Sequence, residues 1–346
     1  MLRTLWTLVG TALGVVLGLF TVEAAIRPYC SAPRQLDPRF GFVLAAGSTV
    51  HWHREGSGTG HWSAFGIRGS SLPAENRPKV LVLGDSLVEA VHVDDPECFT
   101  ARLEARLAAR GWDAAVLNAG VQGSSAPYYA AAGPAYLEAF SPAWTVIGLS
   151  ADDLTSAAFV PRATHFTKET EGSLGVSALP PVGGGGWLRQ GIRRLRARSA
   201  LAQNAALQFV GYRATMASWR PFRSAEATDL APVAVDPTAF PIEAELALLV
   251  DRFEGRVTFL FFSLYDETQP FSEGLVEAAV QEACARRGWS CVATRDTFSR
   301  FAGHPGAWPR GFPNTAPNRG HLNPAGHDAA AEALERELIR LFPSGL

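Results

Sequence analysis

The alternation of short apolar runs with helical patterns constrains the fold of this 346-residue chain more than any other feature. One unbroken apolar run occupies 257–264, and a shorter run, 80–83, is bounded by Pro78 and Gly84. Runs of this length and composition are typical of buried strands. Further strands are predicted at 115–118 and 144–149, with a short fifth strand around Cys291.

Helical patterns separate these strands. They cover 95–110, 125–138, a segment that begins near Pro241, 273–287, and a last segment from Asn323 to near Leu341. Strands that are apolar throughout and alternate with helices are typical of a parallel sheet covered on both faces. The sequence therefore predicts an α/β fold in three layers around a parallel sheet of about five strands.

The N-terminus carries a run of a different kind. Residues 5–22 contain no charged side chain, and at ~1.5 Å per residue a helix of this length spans roughly the bilayer thickness. The run predicts a membrane anchor, and a signal peptide cleaved near Val22 and Ala24 is the alternative. In both cases most of the chain is expected outside the cytoplasm, although Arg27 and the arginines after it weaken the positive-inside signal.

Composition excludes several classes of function. A hydrophobic fraction of 47% with 18% charged residues describes a globular protein, and a net charge of −2 gives no indication of a nucleic-acid partner. The four cysteines include no Cys-x-x-Cys pair, so no zinc or redox site is predicted. Cys284 and Cys291 are spaced either for a disulfide or as two buried thiols.

Three regions are predicted along the chain. Residues 1–25 form the anchor or signal segment, 26–77 an extended accessory region with short strands or a hairpin, and 78–346 the main domain. An insertion at about 155–240 interrupts the main domain and contains an arginine-rich helical pattern at 187–219. The arginines are interpreted as the solvent-exposed face of that helix. The alternatives are a helix that caps the active site and a helix that lies on the membrane surface. The histidines of the accessory region are interpreted as surface or packing residues rather than metal ligands.

Polar motifs follow the strands at the positions where chemistry is expected. The sequence Gly84-Asp85-Ser86-Leu87 comes directly after the first strand, and open α/β sheets bind ligands at the carboxyl ends of their strands. Gly120 follows the second strand, the pair Asp152-Asp153 follows the third, and His321-Leu322-Asn323 precedes the last helix.

Over about residues 62–342, the insertion excepted, these motifs resemble the SGNH (GDSL-type) hydrolase superfamily, and in particular its membrane-anchored bacterial branch. Gly84 to Leu87 matches the first block of the family, Asn118-Ala119-Gly120 the second, 150–154 stands at the third, and 318–327 at the last. The resemblance implies a flavodoxin-like fold (the SGNH hydrolase fold) and a serine esterase that needs no metal or organic cofactor. It implies Ser86 as nucleophile and His321 as base, with the N–H of Ser86, the N–H of Gly120 and the side chain at position 152 around the oxyanion.

Two positions depart from the family pattern. Asp152 stands where the family has Asn, and an ionised carboxylate cannot donate the hydrogen bond that an oxyanion requires. Asn318 stands where the family has the Asp that orients the histidine. Three accounts follow: a protonated Asp152 that still donates, another acid such as Asp296 behind His321, or a pocket that binds its ligand with little turnover.

The expected function is that of a serine esterase or O-acyltransferase, anchored in the membrane, with an extracytoplasmic catalytic domain. The resemblance implies acyl esters of cell-envelope glycans or lipids as substrates, and the sequence indicates no particular protein partner. The main alternative is a catalytically weakened domain that binds an acylated sugar within an envelope assembly complex. A non-enzymatic flavodoxin-like domain leaves Gly120 and His321 without a reason.

Overall fold

The structure is a computed structural model of the whole chain. It describes residues 2–69, 76–154, 164, 166–170, 173–177, 191–192, 195, 198–205, 241–263, 271–301 and 308–346.

A parallel sheet of five strands forms the centre of the fold. Its strands are β5 (Lys79–Gly84), β6 (Ala115–Gly120), β7 (Trp144–Leu149), β10 (Val257–Phe261) and β11 (Ser290–Ala293). They are arranged in the order β11-β10-β7-β5-β6 with every pairing parallel. Counted along the chain this is the order 2-1-3-4-5 of flavodoxin-like folds. The predicted fold class is confirmed, including the number of strands.

Helices cover both faces of the sheet, because successive strand residues point to opposite sides. Leu81 and Leu83 pack on the face covered by three helices, α4 (Ala126–Phe140), α6 (Ile242–Arg252) and α7 (Phe271–Arg287). Val80 and Val82 pack on the other face, which is covered by α3 (Phe99–Ala109) and α9 (Pro324–Leu341). The described part of the domain also contains three short helices, α2 (Ser86–Glu89), α5 (Ala151–Leu154) and α8 (Arg295–Ser299).

Helix boundaries follow the predicted signals with one local difference. Asn323 caps α9 as predicted, and its side chain accepts a hydrogen bond from the N–H of Gly326. The helix predicted from Asp95 is divided in two. Asp95–Glu97 form a 3-10 turn closed by a capping box with Asp94, and α3 begins only at Phe99.

The accessory region packs on the main domain as two hairpins. They are formed by β1 (Arg34–Asp37) with β2 (Gly41–Leu44), and by β3 (Thr49–Trp52) with β4 (Gly58–His61). Arg68 joins this region to the sheet: its N–H donates to Asn118 O, and its buried guanidinium donates to the carbonyl of Val93 and pairs with Asp95. The hairpins are therefore integral to the structure around the strand ends.

The N-terminal helix α1 (Leu2–Ile26) is exposed along its whole length apart from a few half-buried residues near its end. Among the described residues it is the one helix long and apolar enough to cross a membrane. Its last turn contacts the insertion, where Glu23 accepts hydrogen bonds from the backbone N–H groups of Ala200 and Leu201.

Only part of the insertion lies within the described residues. It includes the hairpin of β8 (Phe166–Thr170) with β9 (Ser173–Val176) and the helical residues 200–205. Most of the arginine-rich segment predicted as a helix at 187–219 lies outside them. The cysteine alternative is resolved as a disulfide between Cys284 of α7 and Cys291 of β11, whose Cα atoms are 6.2 Å apart.

Candidate active site

Ser86 lies at the carboxyl end of β5, next to the point where the strand order reverses. Asp85 follows the last residue of the strand and caps α2, because its Oδ1 accepts the N–H of Leu87 at 2.8 Å. Ser86 is the first residue of α2, and the first N–H groups of a helix have no partner within it. The turn therefore presents a hydroxyl and an N–H at the site where open α/β sheets bind ligands.

His321 reaches Ser86 from the far end of the chain. Its Nε2 lies 2.9 Å from Ser86 Oγ. The residue is held just before α9, where its carbonyl accepts the N–H of Gly311 and Asn323 caps the helix. The two side chains that the sequence separates by 235 positions are thus within hydrogen-bond distance.

The acid behind His321 is Glu55, from the turn between β3 and β4. Its Oε2 lies 2.6 Å from His321 Nδ1, and its Oε1 accepts the backbone N–H of His321 at 2.7 Å. The amide of Asn314 fixes this turn by accepting from the N–H of Gly56 and donating to its carbonyl. Gly56 has φ +68°, and a Cβ there would lie 2.5 Å from the carbonyl oxygen of His92, so the turn requires glycine.

This geometry corrects the sequence predictions for the orienting group. Asn318, predicted at that position, adopts φ +54° and donates its backbone N–H to Arg310 O, while the Nδ1 of His321 faces Glu55. Asp296, the other candidate, lies exposed on α8. The acid that contacts His321 is Glu55, which lies within the histidine-rich stretch of the accessory region.

His92 supports His321 from one face. The two imidazoles are stacked with their centroids 3.7 Å apart and an interplanar angle of 18°. His92 is 1% exposed, and neither of its ring nitrogens has a hydrogen-bond partner among the described residues. Burial, together with the charges of His321, His327 and Arg68, lowers the pKa of His92 to about 2. A neutral ring therefore lies under the proposed base.

Glu55, His92 and His321 also have the composition of a metal site, with ligand atoms within 4.8 Å of one another. Imidazole binds a metal through a lone pair in the plane of its ring. Two stacked, nearly parallel rings have planes that do not meet at one ion, so the arrangement favours stacking over coordination.

The pocket at Ser86 is small. Its volume is about 180 Å³, and it is lined by residues from the strand ends and from the loop before α9: Asp85, Ser86, Leu87, Ser150, Ala151, Asp152, Phe261, Phe262, Arg310, Gly320 and His321. Beneath it, burial raises the pKa of Asp85, and burial with the neighbouring Asp85 raises that of Asp153. Asp153 accepts hydrogen bonds from Tyr129 and Ser150, so it supports the pocket floor.

The structure corrects the predicted role of Gly120. Its N–H donates to Asn118 Oδ1 at 3.0 Å, and it does not line the pocket at Ser86. A Cβ at this position would lie 2.1 Å from the backbone nitrogen of Glu89. Glycine is required here because α2 packs directly on the end of β6, and the residue is not available as an oxyanion donor.

Asp152 lines the pocket with Ser86, and it is exposed to solvent. The dry surroundings assumed for a carboxylic acid donor are therefore absent at this position. Arg310 lines the same pocket with a guanidinium buried among the carbonyls of Gly320, Phe262 and Ser263. It places a positive charge in the wall of the pocket that contains Ser86.

Sequence reasoning missed Glu55, His92 and Arg310. None of them follows a strand of the sheet or belongs to a recognisable motif, and Glu55 lies 266 positions from its partner. The one local signal is the glycine after Glu55, which indicates a tight turn in an otherwise irregular stretch. His327, the other histidine of the last motif, is buried in α9, where its Nδ1 accepts the N–H of Phe99.

A serine at the end of the first sheet strand, a histidine 2.9 Å away and a carboxylate behind it form an arrangement typical of hydrolases that use a serine nucleophile. The match to a family model assigns the class more narrowly. Residues 82–329 match the GDSL-like lipase/acylhydrolase family, and the chain belongs to it. It is accordingly a hydrolase of ester bonds.

The chain is similar to several solved structures. TesA is 17% identical, with 76% of this chain and 99% of TesA covered and a TM-score of 0.42. The esterase EstA from Pseudoalteromonas sp. is 12% identical, covering 77% and 99% with a TM-score of 0.40. Axe2, an acetylxylan esterase from Geobacillus stearothermophilus, is 16% identical, covering 75% and 94% with a TM-score of 0.41. No curated protein sequence matches the chain significantly.

Proposed function

We propose that the protein is a serine esterase or O-acyltransferase in which Ser86 is the nucleophile, His321 the base and Glu55 the residue that orients the base. The observation that carries this proposal is the continuous chain from Ser86 Oγ through both ring nitrogens of His321 to the carboxylate of Glu55. A hydroxyl is a weak nucleophile unless an adjacent base removes its proton, and this chain supplies that base.

The reaction follows from the geometry. Ser86 Oγ attacks the ester carbonyl while His321 Nε2 takes the hydroxyl proton, and the same proton then passes to the departing alkoxide. The acyl group remains on Ser86 until a water or an acceptor hydroxyl, deprotonated in turn by His321, removes it. Glu55 keeps the proton of the ring on Nδ1 and stabilises the imidazolium that forms.

The oxyanion is stabilised by the N–H of Ser86 at the start of α2 and by the positive charge of Arg310 in the pocket wall. Asp152 lines the same pocket and is exposed, and its carboxylate opposes negative charge on the substrate oxygen. We therefore assign Asp152 to a role that limits the rate, in place of the donor role expected from the family pattern.

The substrate class follows from the pocket and from the resemblance together. A cavity of about 180 Å³ favours a short acyl group such as acetyl over a long fatty chain. The substrate is an acyl ester of a cell-envelope glycan or lipid. Residues 1–25 serve as the anchor, 26–77 complete the site by supplying Glu55, and 78–346 form the catalytic domain with its insertion at about 155–240.

An extracytoplasmic location is supported by two features. The apolar helix α1 is long enough to serve as an anchor or a signal sequence. The Cys284–Cys291 disulfide belongs to oxidising compartments, since disulfides are rare in the cytosol of most organisms.

The test is the reaction of the full-length chain with p-nitrophenyl acetate. A burst of p-nitrophenol equal to the enzyme concentration, absent in Ser86→Ala, is expected if Ser86 forms an acyl intermediate. Equal rates for the wild type and Ser86→Ala would contradict the proposal. They would favour the second candidate, an acylated-sugar binding domain, for which the exposed carboxylate of Asp152 in the pocket is the specific argument.

A further inference from the structure

A second cavity lies between the accessory region and the insertion, outside the pocket at Ser86. Its volume is about 340 Å³, within the range of small-ligand sites. We call it the Arg54 cavity, after the residue that dominates its charge. Its lining includes Arg34, Trp52, Arg54, Gln203 and Asn204.

The walls of the Arg54 cavity are basic. None of its lining residues that the structure describes is acidic. Arg34 is neutralised by the buried carboxylate of Glu89 at 2.7 Å. Arg54 contacts the amide oxygen of Asn204 at 3.4 Å and has no ion pair within the described part of the chain. One positive charge therefore remains without a counter-charge.

The same walls carry hydrogen-bond donors without acceptors. The indole Nε1 of Trp52 and the amide Nε2 of Gln203 are buried and have no hydrogen-bond partner among the described residues. The other amide atom of Gln203 is satisfied, because its Oε1 accepts the N–H of Ala32 at 2.8 Å. Buried donors without partners are costly, and a ligand rich in oxygen acceptors would satisfy them.

The location of the cavity indicates where such a ligand comes from. Cys30 lines it, four residues after the end of the apolar helix α1, and the carbonyl of Cys30 accepts from the side chain of Asn204. Four extended residues reach at most roughly 14 Å. If α1 spans a bilayer, the cavity therefore lies at the depth of the lipid headgroups.

We propose that the Arg54 cavity binds a phosphate ester, and that the phosphate belongs to an anionic membrane lipid. An unpaired guanidinium and uncharged donors are the combination that recognises a phosphate group. The cavity is also linked to the site at Ser86 by two of its own residues. Arg54 precedes Glu55 in the chain, and Trp52 packs edge-on against His92, which stacks on His321. A bound headgroup is thus placed to hold Glu55 and His92 in position when the protein is in its membrane.

The binding proposal does not depend on the roles assigned to Ser86 and His321, so it is tested in a Ser86→Ala background, where the probe is not consumed. Full-length protein in maltoside micelles is titrated with phosphatidylglycerol, with diacylglycerol, and with glycerol 3-phosphate, and binding is followed by microscale thermophoresis. Phosphatidylglycerol is expected to bind at least tenfold more tightly than diacylglycerol.

Two variants and a control locate the binding. Arg54→Gln removes the unpaired charge, and Gln203→Glu keeps the acceptor for Ala32 while replacing a donor by a negative charge. Each is expected to weaken phosphatidylglycerol binding about tenfold or more. Arg300→Gln removes an exposed guanidinium that pairs with Glu332 on the catalytic domain, and it is expected to leave binding unchanged.

The outcomes separate the alternatives. Glycerol 3-phosphate that binds as tightly as the lipid and competes with it assigns the cavity to a soluble phosphate ester in place of a lipid. Equal binding of phosphatidylglycerol and diacylglycerol, or equal losses in Arg54→Gln and Arg300→Gln, overturns the proposal. Thermal unfolding of each variant distinguishes a lost contact from a lost fold.

Discussion

Glu55 holds His321 by both of its carboxylate oxygens: Oε2 lies 2.6 Å from the ring Nδ1, and Oε1 accepts the backbone N–H of the same residue at 2.7 Å. The contact fixes the ring, its tautomer and the main chain together. It also makes the accessory region part of the active site, because Glu55 lies in the turn between β3 and β4 and not in the loop that carries His321.

Replacing Glu55 by Gln is expected to reduce kcat roughly ten-thousandfold, as loss of the orienting acid does in serine proteases. In the variant, the amide oxygen can still accept from the backbone of His321, and its NH₂ group then faces Nδ1. That arrangement favours the tautomer with the proton on Nε2, which cannot accept the proton of Ser86. The measurement is the steady-state rate with p-nitrophenyl acetate.

Asn318→Asp and Asp296→Asn are the matched controls for Glu55, because both positions were candidates for its role. Each is expected to keep kcat within about threefold of the wild type. A large loss in either control together with an active Glu55→Gln variant would assign the orienting role to the C-terminal loop.

The parts of the fold and site that could be predicted depend on local pattern. β5 and the position of Ser86 follow from a buried strand and the turn after it, and the parallel sheet follows from the alternation of strands with helices. Ser86 and His321 come together because each belongs to a motif at the carboxyl edge of the sheet.

The parts that could not be predicted depend on tertiary contacts. Glu55 stands in an irregular stretch, and its role arises only when the hairpin of β3 and β4 packs against the loop before α9. For Gly120, the sequence shows a glycine at the end of a strand but not that Asn118 captures its N–H. The sequence around Gly120 is therefore compatible with an oxyanion donor and with a packing residue, and the contact of Gly120 with α2 favours the packing role.

Asp152→Asn is expected to raise kcat by about ten- to a hundredfold, because it exchanges an exposed carboxylate near the oxyanion for a hydrogen-bond donor. Asp251→Asn, at an exposed position on α6, is the control for a change of net charge and is expected to have no effect. A fall in the rate of Asp152→Asn would mean that the native carboxyl assists the reaction.

His92 is expected to make the protein sensitive to acid. Its folded pKa of about 2 lies below the ordinary value of 6.5, so its contribution to stability is complete above pH 6.5 and is lost as the pH falls toward 2. A histidine that stays neutral in the folded protein lowers the free energy of unfolding by about 1.4 kcal/mol for each pH unit below 6.5. Between pH 6.5 and 4.5, His92→Phe is therefore expected to lose about 2 to 3 kcal/mol less unfolding free energy than the wild type. Urea titrations at each pH measure the difference, and parallel curves for the two proteins would contradict it.

Glu245 on α6 is expected to lower the stability of the protein as the pH rises. It is fully buried, neither carboxyl oxygen has a partner among the described residues, and burial raises its pKa to about 9. The folded protein therefore keeps a proton that the unfolded chain releases above pH 4.5, so stability is lost as the pH rises from 4.5 to about 9. Glu245→Gln cannot ionise and is expected to be more stable than the wild type by about 3 kcal/mol at pH 7, with little difference at pH 4.5. Glu138→Gln, at an exposed position on α4, controls for the loss of one carboxylate and is expected to follow the wild type at both pH values. A gain in stability that is the same at pH 4.5 and pH 7 would show that the side chain is ionised in the folded protein and that a partner compensates it.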